Sequence, residues 1–264
     1  MIASKLNVIA ENMPKVYNAG YEKGKSEGGD TETAYNEGIK DGKQAEYDAF
    51  WDNYLKKGNA RPSHSYFAGG GWTFDTFKPK YDLSISNASN LFYLASGLKG
   101  DLQAHLESLN VVLDFSTAGP NFTATFYGCT GLTRIGVINA TNATRFNSIF
   151  GECTSLVTID KIIITEKCTT FSDTFTNCKS LENITFEGVI ANNLDFSPCV
   201  KLSKESIENI IGCLSDTVSG KTVTFSATAV NNAFETDTGL ADGQTSDIWI
   251  ELKTLKPEWE IKLT

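Results

Sequence analysis

The chain has 264 residues, 41% of them hydrophobic and 21% charged, enough apolar material for a real core and too much for wholesale disorder. Its formal net charge is −9 and its pI about 4.8. No Lys/Arg cluster supplies the basic stripe that a phosphate backbone or an anionic bilayer requires, which argues against nucleic acid and membrane partners. Met1 to Lys15 lacks the cationic flank and apolar run of a secretory signal, and no apolar run approaches the roughly 20 residues of a membrane span. The expectation is a soluble chain, without membrane insertion, that is not exported through a signal peptide.

Residues 1–58 read as a helical arm for oligomerisation or attachment. Ile2, Leu6, Ile9, Met13 and Val16 follow 4-3-4-3 spacing, an a/d seam interrupted or restarted at Pro14. Gly20, Gly24 and Gly28, then Gly38 and Gly42, recur every four residues and line one helical face. Each helical glycine costs about 1 kcal/mol relative to alanine, so such a helix gains from association. These features predict a homo-oligomeric stalk; the alternative is a flexible, solvated arm. Residues 59–84 form a linker rich in turn formers and aromatics. Tyr66, Phe67, Trp72, Phe74 and Phe77 are expected to cap the first turn of a repeat region, the alternative being an aromatic ligand platform.

The strongest signal is an internal repeat over residues 85–202. Phe122, Phe126, Cys129, Leu132 and Ile135 return as Phe146, Phe150, Cys153, Leu156 and Ile159, and again as Phe171, Phe175, Cys178, Leu181 and Ile184. A degenerate copy keeps Phe196, Cys199 and Leu202. Earlier stretches, "NLFYLASGLKG" and "LNVVLDFS", lack the cysteine step and read as degenerate or capping units. One unit of about two dozen residues cannot bury its own apolar face, so units must stack like upon like. Short β-type stretches at Ile135-Gly136-Val137, Ile159 to Ile164 and Ile184-Thr185-Phe186 are then expected to pair in parallel. The four periodic cysteines read as buried, reduced thiols acting as small hydrophobes, with disulfides as the alternative. Gly128, Gly131 and Gly151, with Asn177, suit the turns around them.

The segments "IFGECTSLVTI" and "TFTNCKSLENI" resemble the BspA-like leucine-rich repeats, whose units read roughly A-F-x-x-C-x-S-L-x-x-I. The resemblance implies an α/β fold, a leucine-rich-repeat solenoid with one parallel sheet, and no enzymatic activity. The N-terminal "AEYDAFWDNYLKKGN" with "YFAGGGWTFDTFKPKYD", and the closing "WIELKTLKPEWEIKL", resemble segments flanking such repeats in proteins of gut bacteria and their phages, often among phage structural genes.

Residues 203–264 read as an α/β C-terminal cap. Ser203 N-caps a helix whose Ile207, Ile210, Ile211 and Leu214 share a face. Lys221 to Ser226 alternates as a strand. Ser246 starts a second helix through Trp249, Leu252 and Leu255, stopped by Pro257. Trp259, Ile261 and Leu263 alternate as a final strand.

Groups for catalysis are sparse. His64 and His105 are the two histidines, neither in a nucleophile motif. No phosphate-binding glycine motif follows a strand. Asp237 and Asp242 lack the spacing and terminal glutamate of a calcium loop. No catalytic residue, cofactor or metal is expected. Along the strands, alternation places Ile135 and Val137 inward and Arg134 and Gly136 outward; Thr158 and Asp160, then Asn183 and Thr185, continue outward in the next units. The candidate recognition face is therefore Arg134, Thr158, Asp160, Asn183 and Thr185, or else a merely solvated surface. The resulting expectation is a non-enzymatic phage virion component, a tail or fibre protein. It would join other virion proteins through residues 1–58, as a homo-oligomer for which the analogy with phage fibres implies a trimer, and turn its repeats toward a host surface protein or glycan. A bacterial BspA-like adhesin on the cell surface is the alternative, made less favoured by the missing leader.

Overall fold

The structure is a computed structural model, and it describes residues 65–234 and 247–264. The seam Ile2, Leu6, Ile9, Met13 and Val16, the glycine-faced arm, His64, Asp237 and Asp242 lie outside the described residues. By contacts the chain divides into two units, Met1–Ala60 with Lys78–Tyr81, and Arg61–Phe77 with Asp82–Thr264. Every strand and helix among the described residues lies in the second.

The fold is α/β with parallel sheets and few helices. In chain order come β1 (Leu83–Ser84), β2 (Gly100–Asp101), α1 (Leu102–Ser108), β3 (Leu113–Asp114), β4 (Leu132–Asn139), β5 (Thr158–Ile164), β6 (Asn183–Gly188), β7 (Leu194–Phe196), α2 (Lys204–Gly212), β8 (Lys221–Phe225), α3 (Ala227–Ala233), α4 (Asp247–Thr254) and β9 (Trp259–Leu263). They form three sheets of order β1-β3, β2-β4-β5-β6 and β7-β8-β9, and every strand pair is parallel. Among the described residues no helix is long and apolar enough to cross a membrane.

A column of phenylalanines runs through the repeats and beyond them in both directions. Phe67 stacks on Phe92 at 5.1 Å between ring centroids, Phe92 on Phe126 at 5.1 Å, and Phe126 on Phe150 at 6.0 Å. Phe150 stacks on Phe175 at 5.6 Å, Phe175 on Phe196 at 4.5 Å, and Phe196 on Phe225 at 5.7 Å. All seven rings are fully buried. A shorter column of Phe122, Phe146 and Phe171 runs beside it, with centroid spacings of 6.0 and 5.9 Å. Offset stacking adds to the burial term, which alone is worth about 1.5–3 kcal/mol per large apolar side chain.

The backbone explains why the spacing is kept. Each of the first five column phenylalanines is flanked, two residues away on both sides, by left-handed positions: Ser65 and Gly69, Asn90 and Leu94, Ala124 and Gly128, Ser148 and Glu152, Asp173 and Asn177. In the first four of these, the kinks turn three alternate N–H groups toward the next rung. Ser65, Phe67 and Gly69 donate to the carbonyls of Ser89, Leu91 and Tyr93, and Phe150 donates to that of Thr174 at 3.1 Å. Ser65–Gly69 is therefore a rung in its own right, the first among the described residues. The expected cap at Tyr66–Phe77 takes that form, with Phe67 and Phe77 fully buried and packed edge-on at 5.0 Å. Those two rings serve as core and offer no platform. "NLFYLASGLKG" is a second rung, in which Ala95 occupies the cysteine position.

All six cysteines are free thiols. Cys129, Cys153 and Cys178 follow one another up the stack, each Sγ donating to the carbonyl of the column phenylalanine one rung before: Phe92 at 3.2 Å, Phe126 at 3.0 Å and Phe150 at 3.1 Å. Burial pushes the Cys129 and Cys178 thiols up to about 12, and Cys153 and Cys199 well above the ordinary value. They stay protonated and unreactive near neutrality.

One expectation on strand polarity fails. Val137 is 49% exposed, whereas Ile135 and Ile138 are buried. Strands β4 and β5 carry one residue more between core positions than β6. Ile159 pairs with Ile184 and Ile162 with Phe186, so between these pairs two residues of β5 oppose one of β6. β4 follows β5 in unbroken register, Ile135 opposite Ile159 and Ile138 opposite Ile162, so the same extra residue falls between its core positions and Val137 turns out. Gly136 does not offer an outward side chain either: Gln103 of α1 covers it so closely that a Cβ would collide with its amide.

The C-terminal segment contains the expected helix at Lys204–Gly212, with Ser203 accepting from the Ser206 N–H. It also shows how α2 finishes the sheet. Ser206 Oγ accepts from the Ile184 N–H at 3.0 Å, and Asn209 bonds both the N–H and the carbonyl of Phe186, at 2.7 and 3.1 Å. Two side chains thus take the place of a fifth strand along β6. Strands β8 and β9 form as expected. Helix α4 ends at Thr254, one residue before Leu255, which is 62% exposed; the Leu252 turn supplies the buried contact and Leu255 does not belong to the apolar face. Lys256 and Trp259 tie this end down through the carbonyls of Leu214 and Ser215.

Candidate functional site

The outward side of β4, β5 and β6 carries all five candidate recognition residues, and the bulge sets how they meet. Arg134 reaches across to Asp160 with two bonds, Nε to Oδ1 at 2.8 Å and Nη2 to Oδ2 at 2.9 Å. Its Nη1 contacts Asp101 Oδ2 at 3.3 Å. The Asp160 hydrogen bond, before any other contact, raises the guanidinium pKa further above its ordinary value. Arg134 is therefore a brace across three strands, with its donor fork already turned to carboxylates.

Thr158, Asp160, Asn183 and Thr185 converge on a hollow of about 390 Å³ that Arg134 does not line. Asn183 and Thr185 are exposed; Thr158 and Asp160 are half-buried. Its remaining polar wall comes from the N-terminal end of α2: Ser203, Glu205 and Ser206. The sequence identified Ser203 only as a helix cap. That Ser203 and Glu205 also face the strand ladder results from α2 lying along β6, which no local pattern announces. The floor is apolar at Ile159 and Ile184, and the rim offers hydroxyl, amide and carboxylate groups. That chemistry suits a polar, hydroxyl-rich ligand held by hydrogen bonds.

A second hollow, of about 410 Å³, crosses three rungs through Ser172 and Asp173, Asn193 and Asp195, and Thr222 and Thr224. Several of its groups serve the fold: Asn193 Oδ1 accepts from the Thr222 N–H and Asp195 Oδ1 from the Ser197 N–H. The sequence did not single it out, because its residues lie between the repeat's apolar positions.

His105, the described histidine, belongs to the first rungs. Its ring stacks on Phe74 at 4.4 Å and bonds the Phe77 carbonyl through Nε2. Among the described residues no group of three or more His, Cys, Asp or Glu side chains is placed to hold a metal ion. No protein-family model, no curated protein and no solved structure matches this chain.

Proposed function

We propose that this chain is a leucine-rich-type repeat solenoid that acts as a non-enzymatic recognition module. In this reading it is a component of a phage virion, a tail or fibre protein whose repeats face the host. Residues 1–58 join it to other virion proteins, as a homo-oligomer with three copies the working number. The reading rests on one observation above all. A stack of fully buried aromatic rings holds a ladder of outward polar side chains, and Thr158, Asp160, Asn183 and Thr185 meet at one hollow. Rigid presentation of side chains on successive rungs is how repeat proteins bind. Hydroxyl and amide groups over an aliphatic floor favour a glycan or a polar protein loop on the host surface.

The test has two arms. Antibody raised against residues 85–264 is used to locate the protein, on purified phage particles in the virion reading and on the bacterial envelope in the adhesin reading. Binding of labelled protein to host cells should then fall tenfold or more in Thr185→Arg, which fills the hollow from an exposed position. Unchanged binding by a folded Thr185→Arg protein rejects the hollow as the recognition site.

A further inference from the structure

Strand β9 ends the sheet β7-β8-β9, and the parity of its backbone is readable. The Thr264 N–H donates to the Phe225 carbonyl at 3.1 Å, and the Thr264 carbonyl accepts from the Ala227 N–H at 2.8 Å. In a parallel strand the N–H and C=O of one residue point the same way, and the direction alternates along the chain. Thr264, Lys262 and Glu260 therefore bond toward β8, while the N–H and C=O of Ile261 and Leu263 point away from it. Among the described residues no strand pairs with this outer side, and an edge of this kind is a template for another strand.

The side chains nominate the strand. Trp259 and Ile261 are buried on the core side, and Glu260 and Lys262 are exposed on the other, 2.9 Å apart as an ion pair. The sequence Trp-Glu-Ile-Lys-Leu is thus charge-complementary to its own reverse about Ile261. Placed antiparallel to a second copy with the two Ile261 residues opposite, these residues exchange both N–H···O bonds. Each Leu263 N–H then meets the other copy's Trp259 carbonyl. Glu260 of each chain lies directly across from Lys262 of the other at a non-hydrogen-bonded pair, the closer kind, where opposite charges attract. Trp259 faces Leu263 of the other copy and extends the apolar side.

We propose that the β9 edge is a two-fold docking surface for a second copy of this chain, joined by antiparallel pairing centred on Ile261. The contact is isologous and closes at two copies, and it stands independently of the virion reading.

Two measurements on the full chain test it. In sedimentation over a micromolar-to-millimolar series, Glu260→Lys and Lys262→Glu should each weaken self-association tenfold or more, since each sets like charges opposite. Mixing the two variants should restore a heterodimer, because lysines on one chain then face glutamates on the other. The second measurement uses cysteine pairs in a Cys213→Ser background, which removes the least buried native thiol. Oxidising a mixture of Glu260→Cys and Lys262→Cys should give a disulfide-linked heterodimer, while neither variant alone cross-links. Association unaffected by either charge variant overturns the proposal. So does a cross-link formed equally well by Glu260→Cys alone, which requires a different register.

Discussion

Phe150 sits mid-column, fully buried, with stacked neighbours on both sides, Phe126 at 6.0 Å and Phe175 at 5.6 Å. Truncation to alanine removes a large apolar side chain and leaves a cavity, about 3–5 kcal/mol. It also breaks two stacking contacts worth about 0.5–1.5 kcal/mol each beyond their area. Because these terms overlap, we expect Phe150→Ala to cost about 4–6 kcal/mol and Phe150→Leu about 1–3 kcal/mol. Stability in a stacked array is close to a sum of rung and interface terms, so a broken central interface should also divide the unfolding. Urea denaturation followed by circular dichroism and by tryptophan fluorescence reads both effects. The two probes should coincide in the native protein and separate in Phe150→Ala. A single coincident transition with a loss under about 1 kcal/mol would refute the column as the source of cooperativity.

Asn209→Leu orphans the Phe186 N–H and carbonyl on the edge of β6. It should cost about 2–3 kcal/mol, with faster hydrogen exchange at the Phe186 amide. Asp173→Gly relieves a left-handed residue at φ 57° with an exposed side chain. It should raise stability by about 0.5–1 kcal/mol in a thermal melt, and a lower melting temperature would contradict the strain argument. The buried thiols couple folding to alkaline pH. Burial holds Cys129 and Cys178 neutral up to about 12, while the unfolded chain ionises near 8.5–9. Their contribution is therefore complete below pH 9 and declines between pH 9 and 12, by about 1.4 kcal/mol per pH unit for each thiol. Denaturation midpoints measured from pH 7 to 11 should fall only above pH 9. Native-state alkylation should label none of Cys129, Cys153, Cys178 or Cys199 until the protein unfolds.

What was legible in the sequence was the part governed by repetition. Phe126, Cys129 and Leu132 recur because each must meet its own kind one rung away, so their spacing announced stacked units and parallel strands and favoured reduced thiols over disulfides. The cap helix at Lys204–Gly212 was legible too, because a serine cap and an isoleucine face are local features. The first rung at Ser65–Gly69 was not: it keeps only Phe67 and the two left-handed positions, and backbone dihedrals leave little trace in residue type when Ser, Asn, Leu, Ala and Glu all adopt them. The polarity of Val137 was hidden as well, since one extra residue between Ile135 and Ile138 shows as a bulge only against the shorter interval on β6. The candidate site followed the same division. Alternation placed Thr158, Asp160, Asn183 and Thr185 outward. Only the packed structure joined Ser203 and Glu205 to them and committed Arg134 to Asp160 and Asp101. Spacing along the chain decides which side chains must be buried together, whereas contacts between elements far apart in sequence depend on how finished elements pack, and no local pattern encodes that.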